Sequence, residues 1–428
     1  MRLELGKIRI KDVQFGPETC VRDAVLYVDR AAVERMVCED DRIAGASVEL
    51  ARPGEETRII PVKDVIEPRV KVDGPGGVFP GMVSKVDTVG EGRTHVLAGA
   101  AVVTTGKIVG FQEGIIDMTG PGAEYTPFSK LNNVVLVCEP VTGLPQHEHE
   151  VAIRMAGLKV AAYLGEAGRD VEPDEVEVYE CLPLLQQAAA YPGLPKVAYV
   201  YMLQSQGLLH DTYVYGVDAK RILPTLIYPT EVMDGAIVSG NCVSACDKNT
   251  TYHHQNSPVI HDLLARHGRD FNFIGVVITN ENVTLADKER SSNYTAKLVE
   301  MLGADGAIVS EEGFGNPDAD LIMNCTKLEK KGIRTVLVTD EYAGQDGASQ
   351  SLADANPLAD AVVTAGNANE VVTLPPMKKV IGHPEAANVI AGGWDGSLAG
   401  DGSITAEIQV ITGCTNELGF SYLTAREI

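Results

Sequence analysis

The last third of the chain alternates short apolar runs with longer amphipathic runs, and this alternation limits the fold more than any other feature. The apolar runs FIGVVITN, GAIVS, RTVLVTD and ADAVVTAG have the length and composition of buried strands. Two runs between them, TLADKERSSNYTAKLVEMLGA and PDADLIMNCTKLEKKG, have helical spacing. Thr284 is predicted to cap the first helix, with Asp287 as an approximate capping-box partner. This strand–helix–strand order predicts a doubly wound, mostly parallel sheet.

The chain before this alternation divides into two parts of different character. Residues 1–131 contain the strand candidates RLELGKIRI and AVLYV and the turn-forming GPGGVFPG, which predict a β-rich region with a curled sheet. Residues 132–241 contain strand candidates NVVLVCEPV, KVAYVYML and DTYVYGV around one helix candidate, HEHEVAIRMAGLKVAAYLGEAG. We therefore predict an α/β protein with a β-rich region at 1–131, an α/β region at 132–241 and a Rossmann-like α/β domain at 242–428.

Composition excludes several classes of function. The 428 residues are 45% hydrophobic, so each part can build its own core, and the formal net charge of −23 disfavours nucleic acid and anionic membranes as partners. The opening MRLELGKIRIKDVQFG lacks the apolar core of a signal peptide. No run reaches the roughly 18 apolar residues of a membrane helix. We therefore expect a cytoplasmic protein.

The cysteines and histidines do not form a recognisable metal motif. The eight cysteines are widely spread and include no CxxC pair, so a structural zinc site is not expected. In QHEHE, His147 and His149 could bind a metal on a strand, where alternate residues share a face. We interpret this stretch as a helix start instead, where Glu148 and Glu150 complement the helix dipole. We predict no metal site.

One glycine-containing turn resembles an anion-binding loop. In SEEGFGNPDAD, from Ser310 to Asp320, two glycines lie between a strand and a helix, where backbone N–H groups can approach a phosphate. The stretch lacks the third glycine of a dinucleotide fingerprint and any Lys-Ser/Thr pair, and two glutamates would repel phosphate. We interpret it as a tight turn.

Reactive side chains are concentrated in VSGNCVSACDKNTTYHHQN, from Val238 to Asn256. Cys242 and Cys246 have CxxxC spacing, which on a helix would bring the two thiols to one face. His253 and His254 lie a dozen positions after the Gly-Asn-Cys step. Either imidazole is a candidate for proton transfer, whereas solvated loop histidines are the plainer interpretation.

The step Gly240-Asn241-Cys242 permits a backbone rearrangement. A cysteine thiolate can attack the carbonyl of the preceding residue and convert the peptide to a thioester, which requires a flexible or strained backbone. Hydrolysis would leave an N-terminal cysteine. Elimination would leave dehydroalanine, which becomes an N-terminal pyruvoyl ketone. An unreactive loop is the commonest explanation of a single Asn-Cys step.

The whole chain resembles a known family. The opening LELGKIRIKDVQFG, the central GNCVSAC, the segment EEGFGNPDADL and the length are similar to the proprotein subunit of component B of the glycine, sarcosine and betaine reductases. The D-proline reductase proprotein is a more distant relative. The resemblance implies self-cleavage between Asn241 and Cys242, with Cys242 becoming a pyruvoyl cofactor. It implies two subunits, residues 1–241 and the remaining 187 (428 minus 241).

The resemblance also implies a reaction and its partners. The family performs reductive deamination: the substrate amine condenses with the ketone, and a selenolate displaces the amine. The partners would be a selenocysteine-containing component B subunit, selenoprotein A, component C and a thioredoxin-like electron donor, with acetyl phosphate as the end product. The chain would then be an oxidoreductase subunit.

Several alternatives stay open at this point. Glycine is favoured as substrate over sarcosine and betaine. An N-terminal-cysteine hydrolase would use the same Asn-Cys step, and an intein-like splice junction also carries Asn before Cys. A redox or metal-binding α/β module would remain uncleaved. Lys248, the nearest basic side chain after Cys242 in sequence, is a candidate to bind the substrate carboxylate, with a solvated lysine as its plainer role.

Overall fold

The computed structural model of the protein describes residues 1–206, 212–240, 249–350 and 352–411, and its strands form seven sheets within these ranges. The strands of the first 140 residues are β1 Arg2–Arg9, β2 Asp12–Phe15, β3 Cys20–Arg22, β4 Val25–Val28, β5 Ile43–Ala51, β6 Thr57–Val62, β7 Asp64–Ile66, β8 Arg69–Asp73, β9 Gly92–Ala98, β10 Ala100–Gly106, β11 Gly114–Asp117 and β12 Asn132–Pro140. The later strands are β13 Glu175–Glu180, β14 Lys196–Leu203, β15 Tyr213–Val214, β16 Val217–Asp218, β17 Thr225–Ile227, β18 Ile237–Val238, β19 Asn272–Asn280, β20 Gly306–Ser310, β21 Arg334–Glu341, β22 Val362–Asn367, β23 Val371–Leu374, β24 Lys379–Gly382 and β25 Ile404–Glu407. The α-helices are α1 Arg30–Val37, α2 Pro121–Glu124, α3 Gln146–Glu166, α4 Leu184–Ala190, α5 Pro229–Met233, α6 Thr251–Gln255, α7 Pro258–Arg266, α8 Leu285–Met301 and α9 Asn316–Glu329.

The N-terminal region is β-rich, as predicted. Its two larger sheets have the strand orders β13-β1-β9-β8 and β5-β12-β10-β7, and a smaller sheet has the order β11-β6-β24. Helix α3 packs on these sheets through Ile153, Val160 and Leu164. A Cβ atom at Gly165 would lie 2.0 Å from the carbonyl oxygen of Arg69, so glycine permits the close approach of α3 to β8.

Some paired strands are far apart in the sequence. Strand β12, predicted as the start of the α/β region, pairs with β10 and β5 in the N-terminal sheet. Strand β24, near the end of the described chain, pairs in parallel with β6. The first and last parts of the chain therefore share a sheet.

The predicted parallel sheet is confirmed as six strands in the order β17-β19-β14-β20-β21-β22. Strand β17 pairs antiparallel with β19, and the other neighbours are parallel. Strand β14 lies at the centre, although it precedes residue 241 in the chain, whereas its neighbours β19 and β20 follow it. The sheet therefore combines both sides of the predicted cleavage site.

Helices cover both faces of this sheet. Ala198, Val200 and Met202 of β14 contact the core formed with α8 and α9. The alternate side chains Tyr199 and Tyr201 face the core on the side of α7. Because successive residues of a strand point to opposite faces, the apolar run of β14 is explained by burial on both sides.

The predicted helices are confirmed with small differences. Thr284 caps α8 by accepting a hydrogen bond from the backbone N of Asp287, whose carboxylate accepts a bond from the Thr284 hydroxyl at 2.6 Å. The run DTYVYGV, predicted as one strand, is a tight hairpin of β15 and β16. Tyr215 and Gly216 have φ of 49° and 79°, the positive values that a two-residue hairpin turn requires. Within the described ranges, no helix has the length and apolar composition needed to cross a membrane.

Candidate active site

The carboxyl ends of three parallel strands meet at one edge of the six-stranded sheet. Leu203 at the end of β14 lies opposite Asn280 at the end of β19, and Tyr201 lies opposite Ser310 at the end of β20. Ligand sites of open α/β sheets lie beyond such an edge. We call the residues that follow these strands the carboxyl edge, which consists of Gln204, Glu281, Glu311 and Glu312.

Glu312 connects three segments of the chain at this edge. Its Oε2 atom accepts hydrogen bonds from the backbone N of Gln204 at 2.7 Å and from Thr212 Oγ1 at 2.8 Å. Its Oε1 atom accepts one from the backbone N of Asn249 at 3.1 Å. Glu312 is fully buried, so it fixes the first described residue after the Asn-Cys step to the sheet.

His254 lies between a hydroxyl group and a carboxylate. Its Nδ1 atom is 2.7 Å from the Tyr201 hydroxyl, and its Nε2 atom is 3.3 Å from Glu312 Oε1 without the alignment of a hydrogen bond. All three side chains are fully buried. Both ring nitrogens thus adjoin groups that can exchange a proton, an arrangement suited to proton transfer.

His253 has different surroundings, although it is the next residue. Its Nδ1 atom accepts a hydrogen bond from the backbone N of Thr250 at 3.1 Å, and the backbone N of His253 donates to the Thr250 hydroxyl. These two bonds form the capping box of α6. Its ring packs 5.1 Å from that of Phe128. Burial, with the nearby charge of His254, lowers the pKa of His253 to about 3, so the ring is neutral.

The carboxyl edge buries acids beside one another. The Glu312 backbone N donates to Glu281 Oε1 at 3.0 Å. Burial, followed by the charges of Glu312 and Asp320, raises the pKa of Glu281 well above its ordinary value. Burial, followed by the charges of Asp318 and Glu281, likewise raises the pKa of Glu311. These two acids therefore favour the protonated form where an exposed glutamate would be ionised.

The predicted cleavage site itself lies outside the described residues. Asn241, Cys242, Cys246 and Lys248 all fall in the range 241–248, so their predicted roles stay predictions. The residues on either side, Ser239, Gly240 and Asn249, are buried. Both flanks of the range are therefore inside the protein.

The turn predicted between β20 and α9 is confirmed. Gly313 and Gly315 have φ of 100° and 87°, in the left-handed region that favours glycine. A Cβ atom at Gly313 would lie 2.5 Å from Gln204 Oε1. The turn thus directs Glu311 and Glu312 into the protein, whereas the sequence suggested only two residues that would repel phosphate.

The predicted helix start at QHEHE is also confirmed. His147 and His149 lie in the first turn of α3, and burial, followed by the charges of Lys63 and Lys107, lowers the pKa of His149 to about 4. Among the residues that the structure describes, no group of three or more His, Cys, Asp or Glu side chains could hold a metal ion. His149 is thus a buried, neutral histidine of a helix.

Sequence reasoning missed Tyr201, Gln204, Glu281 and Glu312. Each lies in or directly after a strand of the parallel sheet, which is the signal that could have found them. Their assembly depends on strand order, and β14 was not predicted to lie between β19 and β20. The sequence could therefore place these residues at the ends of strands, but it could not show that they lie close together.

The chain is similar in sequence to known proteins over its whole length. The family model of glycine/sarcosine/betaine reductase component B subunits matches residues 1–426. The chain is 68% identical over 428 residues to "Glycine reductase complex component B subunits alpha and beta" of Acetoanaerobium sticklandii and 66% identical over 426 residues to the protein of the same name from Peptoclostridium acidaminophilum. It is 61% identical over 426 residues to "Sarcosine reductase complex component B subunit alpha" of Peptoclostridium acidaminophilum. Each alignment covers 100% of both chains, and no solved structure matches.

The chain therefore belongs to the family of glycine/sarcosine/betaine reductase component B subunits. This agrees with the resemblance carried by GNCVSAC and EEGFGNPDADL. The second of these motifs supplies Glu311 and Glu312 of the carboxyl edge, and the first ends three residues before Asn249.

Proposed function

We propose that the chain is the precursor of two subunits of a glycine reductase component B, formed by self-cleavage between Asn241 and Cys242. The observation that supports this most directly is the anchoring of the described flanks: Gly240 is buried, and Asn249 is held by Glu312 at the carboxyl edge. The name of the Acetoanaerobium sticklandii relative gives subunits alpha and beta to one sequence, which supports two products from one chain.

Cleavage converts Cys242 into an N-terminal pyruvoyl group without an oxidant. The thiol loses its proton, the sulfur attacks the carbonyl carbon of Asn241, and the peptide nitrogen gains a proton and leaves, so a thioester replaces the peptide bond. Removal of the Cα proton of residue 242 then expels the thiocarboxylate and leaves dehydroalanine. Its enamine tautomerises to an imine, and water converts this to the ketone with release of ammonia.

The described side chains support a proton-transfer role for His254. It can accept the thiol proton of Cys242 or return one to the leaving nitrogen, because both its ring nitrogens adjoin exchangeable groups. Tyr201 and Glu312 hold the ring in place. We assign His253 to the capping of α6, since a histidine with a pKa of about 3 is a weak base at neutral pH. The burial of these groups fits a reaction from which bulk water is excluded.

The substrate we propose is glycine, an amine with one carboxylate. A ketone at residue 242 supplies an electrophile for such an amine. Lys248, six residues further, is our candidate for the carboxylate, because a strongly acidic protein needs a local positive charge to bind an anion. The two relatives named for glycine are 68% and 66% identical, compared with 61% for the relative named for sarcosine.

The complete reaction requires further proteins. The names of the relatives describe components of complexes. We propose a selenocysteine-containing component B subunit, selenoprotein A, component C and a thioredoxin-like electron donor as partners. Glycine, phosphate and two electrons with their protons would yield acetyl phosphate, ammonia and water. Displacement of the amine is the difficult step, because an amine is a poor leaving group. Activation of the amine by an electrophile makes it a better leaving group, and an ionised selenolate is a strong nucleophile for the displacement.

Denaturing electrophoresis followed by mass spectrometry tests the processing. We expect two fragments, residues 1–241 and the remaining 187 (428 minus 241), with the smaller one blocked to Edman degradation and reactive towards hydrazines. A smaller fragment that begins with a sequenceable cysteine would indicate an N-terminal-cysteine hydrolase instead. A single chain of full length would contradict the proposal.

Borohydride trapping tests the substrate. We expect glycine to become fixed to the smaller fragment of the wild-type protein, and not to the Cys242→Ala variant. Trapping of sarcosine in preference to glycine would change the substrate. If neither amine is fixed while hydrazines still react, a betaine-type site that binds a quaternary amine non-covalently would replace the glycine assignment.

A further inference from the structure

The described residues on the two sides of the predicted cleavage site are joined by a hydrogen-bonded contact close to the site. The backbone N of Ser239 donates to Thr251 Oγ1 at 3.0 Å. Thr251 donates twice to Asp64, from Oγ1 to Oδ2 at 2.6 Å and from its backbone N to Oδ1 at 2.9 Å. Ser239 and Thr251 are fully buried and Asp64 is 2% exposed. These three residues therefore join the described chain before the predicted cleavage site to the described chain after it.

Asp64 belongs to a rigid part of the molecule. It begins β7, which pairs antiparallel with β10 through Asp64 and Thr104. Its Oδ1 atom also accepts a hydrogen bond from the backbone N of Val65 at 2.9 Å, which fixes the carboxylate relative to its own strand. The contact is thus attached to a strand of the N-terminal sheet and not to another loop.

We propose that Asp64 and Thr251 are positioning residues for self-cleavage, which hold Ser239 and the start of α6 together so that the segment between them can reach the reactive geometry. This inference rests on the proposed cleavage between Asn241 and Cys242. Neither residue is assigned a proton or a bond in the reaction. Thr251 acts through Ser239, which lies two residues before the scissile bond.

The physical reason is the cost of ordering a loop. Fixing one residue's backbone costs about 1–2 kcal/mol, and an attack within the chain requires the reacting atoms to lie about 3–3.5 Å apart. A contact fixed by two hydrogen bonds to a buried carboxylate pre-orders the residues next to the scissile bond.

A second buried threonine–aspartate hydrogen bond occurs elsewhere in the molecule and provides a control, although its aspartate, Asp234, also forms an ion pair with Lys71 at 2.7 Å. Thr94 Oγ1 donates to Asp234 Oδ1, also at 2.6 Å, and Thr94 is also fully buried. Asp234 accepts a backbone hydrogen bond from Gly90 at 2.8 Å, as Asp64 does from Thr251. Loss of either threonine hydroxyl should cost a comparable stability. Of the two threonines, only Thr251 accepts a hydrogen bond from Ser239, which lies two residues before Asn241.

The experiment compares four full-length chains: wild type, Thr251→Val, Thr251→Ser and Thr94→Val. Each is pulse-labelled in cell-free translation, and the fraction cleaved is followed by denaturing electrophoresis during a chase. Thermal unfolding reports whether each variant folds. Valine keeps the shape of threonine and removes the hydroxyl, whereas serine keeps the hydroxyl.

We expect Thr251→Val to cleave about tenfold more slowly than wild type or worse, and Thr251→Ser and Thr94→Val to cleave within about threefold of wild type. Equal cleavage of Thr251→Val and Thr94→Val would overturn the positioning role, even if both are slow, because a general loss of stability would then suffice. If Thr251→Val does not fold, Asp64→Asn takes its place with the same expectation. A wild-type chain that stays uncleaved would refute the proposed function instead, so the two failures are distinguishable.

Discussion

Two regions of the molecule bury carboxylates, and they compensate the charge differently. In the N-terminal sheets, Asp117 accepts hydrogen bonds from Arg58 at 2.6 and 2.8 Å, and Glu113 accepts one from Lys63 at 2.7 Å. All four side chains are at most 1% exposed. Each of these two acids has its own base, and removal of either partner would leave an isolated buried charge.

At the carboxyl edge, acids adjoin other acids, hydroxyl groups and backbone N–H groups. Glu281 accepts from the backbone N of Glu312, and Glu311 accepts from Thr339 Oγ1 at 2.9 Å. Lys288, whose charge acts on Glu281, forms its ion pair with Asp320. Acids arranged in this way hold protons instead of counter-ions. The ion-paired acids of the N-terminal sheets therefore suit a stabilising role, whereas the adjoining acids of the carboxyl edge suit a role in chemistry.

The largest expected effect comes from substitution of Cys242, which should prevent self-cleavage and leave both regions intact. We expect Cys242→Ala to remain a single chain without carbonyl reactivity, because the alanine side chain cannot attack the Asn241 carbonyl. Cys242→Ser should cleave slowly at best, since a serine hydroxyl is ionised far less readily than a thiol. Electrophoresis and hydrazine labelling measure both results. Two fragments from Cys242→Ala would place the cleavage elsewhere.

The next effect concerns the paired region. We expect Arg58→Met to lower the free energy of unfolding by about 3–5 kcal/mol, because Asp117 would lose its buried partner. Denaturant unfolding of the Cys242→Ala background avoids complications from cleavage. The control Arg9→Met breaks an exposed pair with Glu175 and should change stability by less than about 1 kcal/mol. Equal effects would show that burial of the pair does not matter.

A smaller effect is expected on the cleavage rate, and it should differ between variants of the two neighbouring histidines. We expect His254→Gln to slow cleavage by about a hundredfold, the lower range for loss of a proton-transfer group. His253→Gln should cleave at nearly the wild-type rate and lose about 1 kcal/mol of stability, because it changes a helix cap. The pulse-chase assay and thermal unfolding measure these outcomes. The reverse pattern would assign proton transfer to His253.

The smallest effect is a change in pH dependence at the carboxyl edge. Glu281 keeps its proton in the folded state at pH values where the unfolded chain has released it, since burial raises its folded pKa. Its contribution to stability is therefore present below the ordinary glutamate pKa and is lost as pH rises towards the folded value. Glu281→Gln should remove this loss, so stability measured from pH 4 to 8 should fall less steeply than in the parent. An unchanged slope would mean that Glu281 is ionised in the folded protein.

Much of the fold could be predicted because its signals are local. The apolar runs of β19, β20 and β21 and the cap at Thr284 depend only on nearby residues. The order of the strands does not, since β14 pairs with β19 and β20 beyond the predicted cleavage site, and β24 pairs with β6 from the first part of the chain. Periodicity indicates that a strand exists and which faces are buried, but it does not identify the neighbouring strand.

The candidate site shows the same limit. The sequence indicated His253 and His254 together, but the phase of the short helix α6 decides which ring faces the carboxyl edge. Glu312 could be read as an acid in a turn, whereas its burial and its three hydrogen bonds depend on Gln204, Thr212 and Asn249. Asn241, Cys242 and Lys248 remain predictions from the motif and the family.

The central place of β14 has a consequence for the amounts of the two products. A cut at residue 241 would leave β14 in one product and both of its hydrogen-bonded neighbours, β19 and β20, in the other. Separation would expose both sides of an apolar strand, so neither product has a complete sheet without the other. If the proposed cleavage occurs, synthesis as one chain fixes a one-to-one ratio of the products, and the shared sheet makes exchange of subunits between molecules unfavourable.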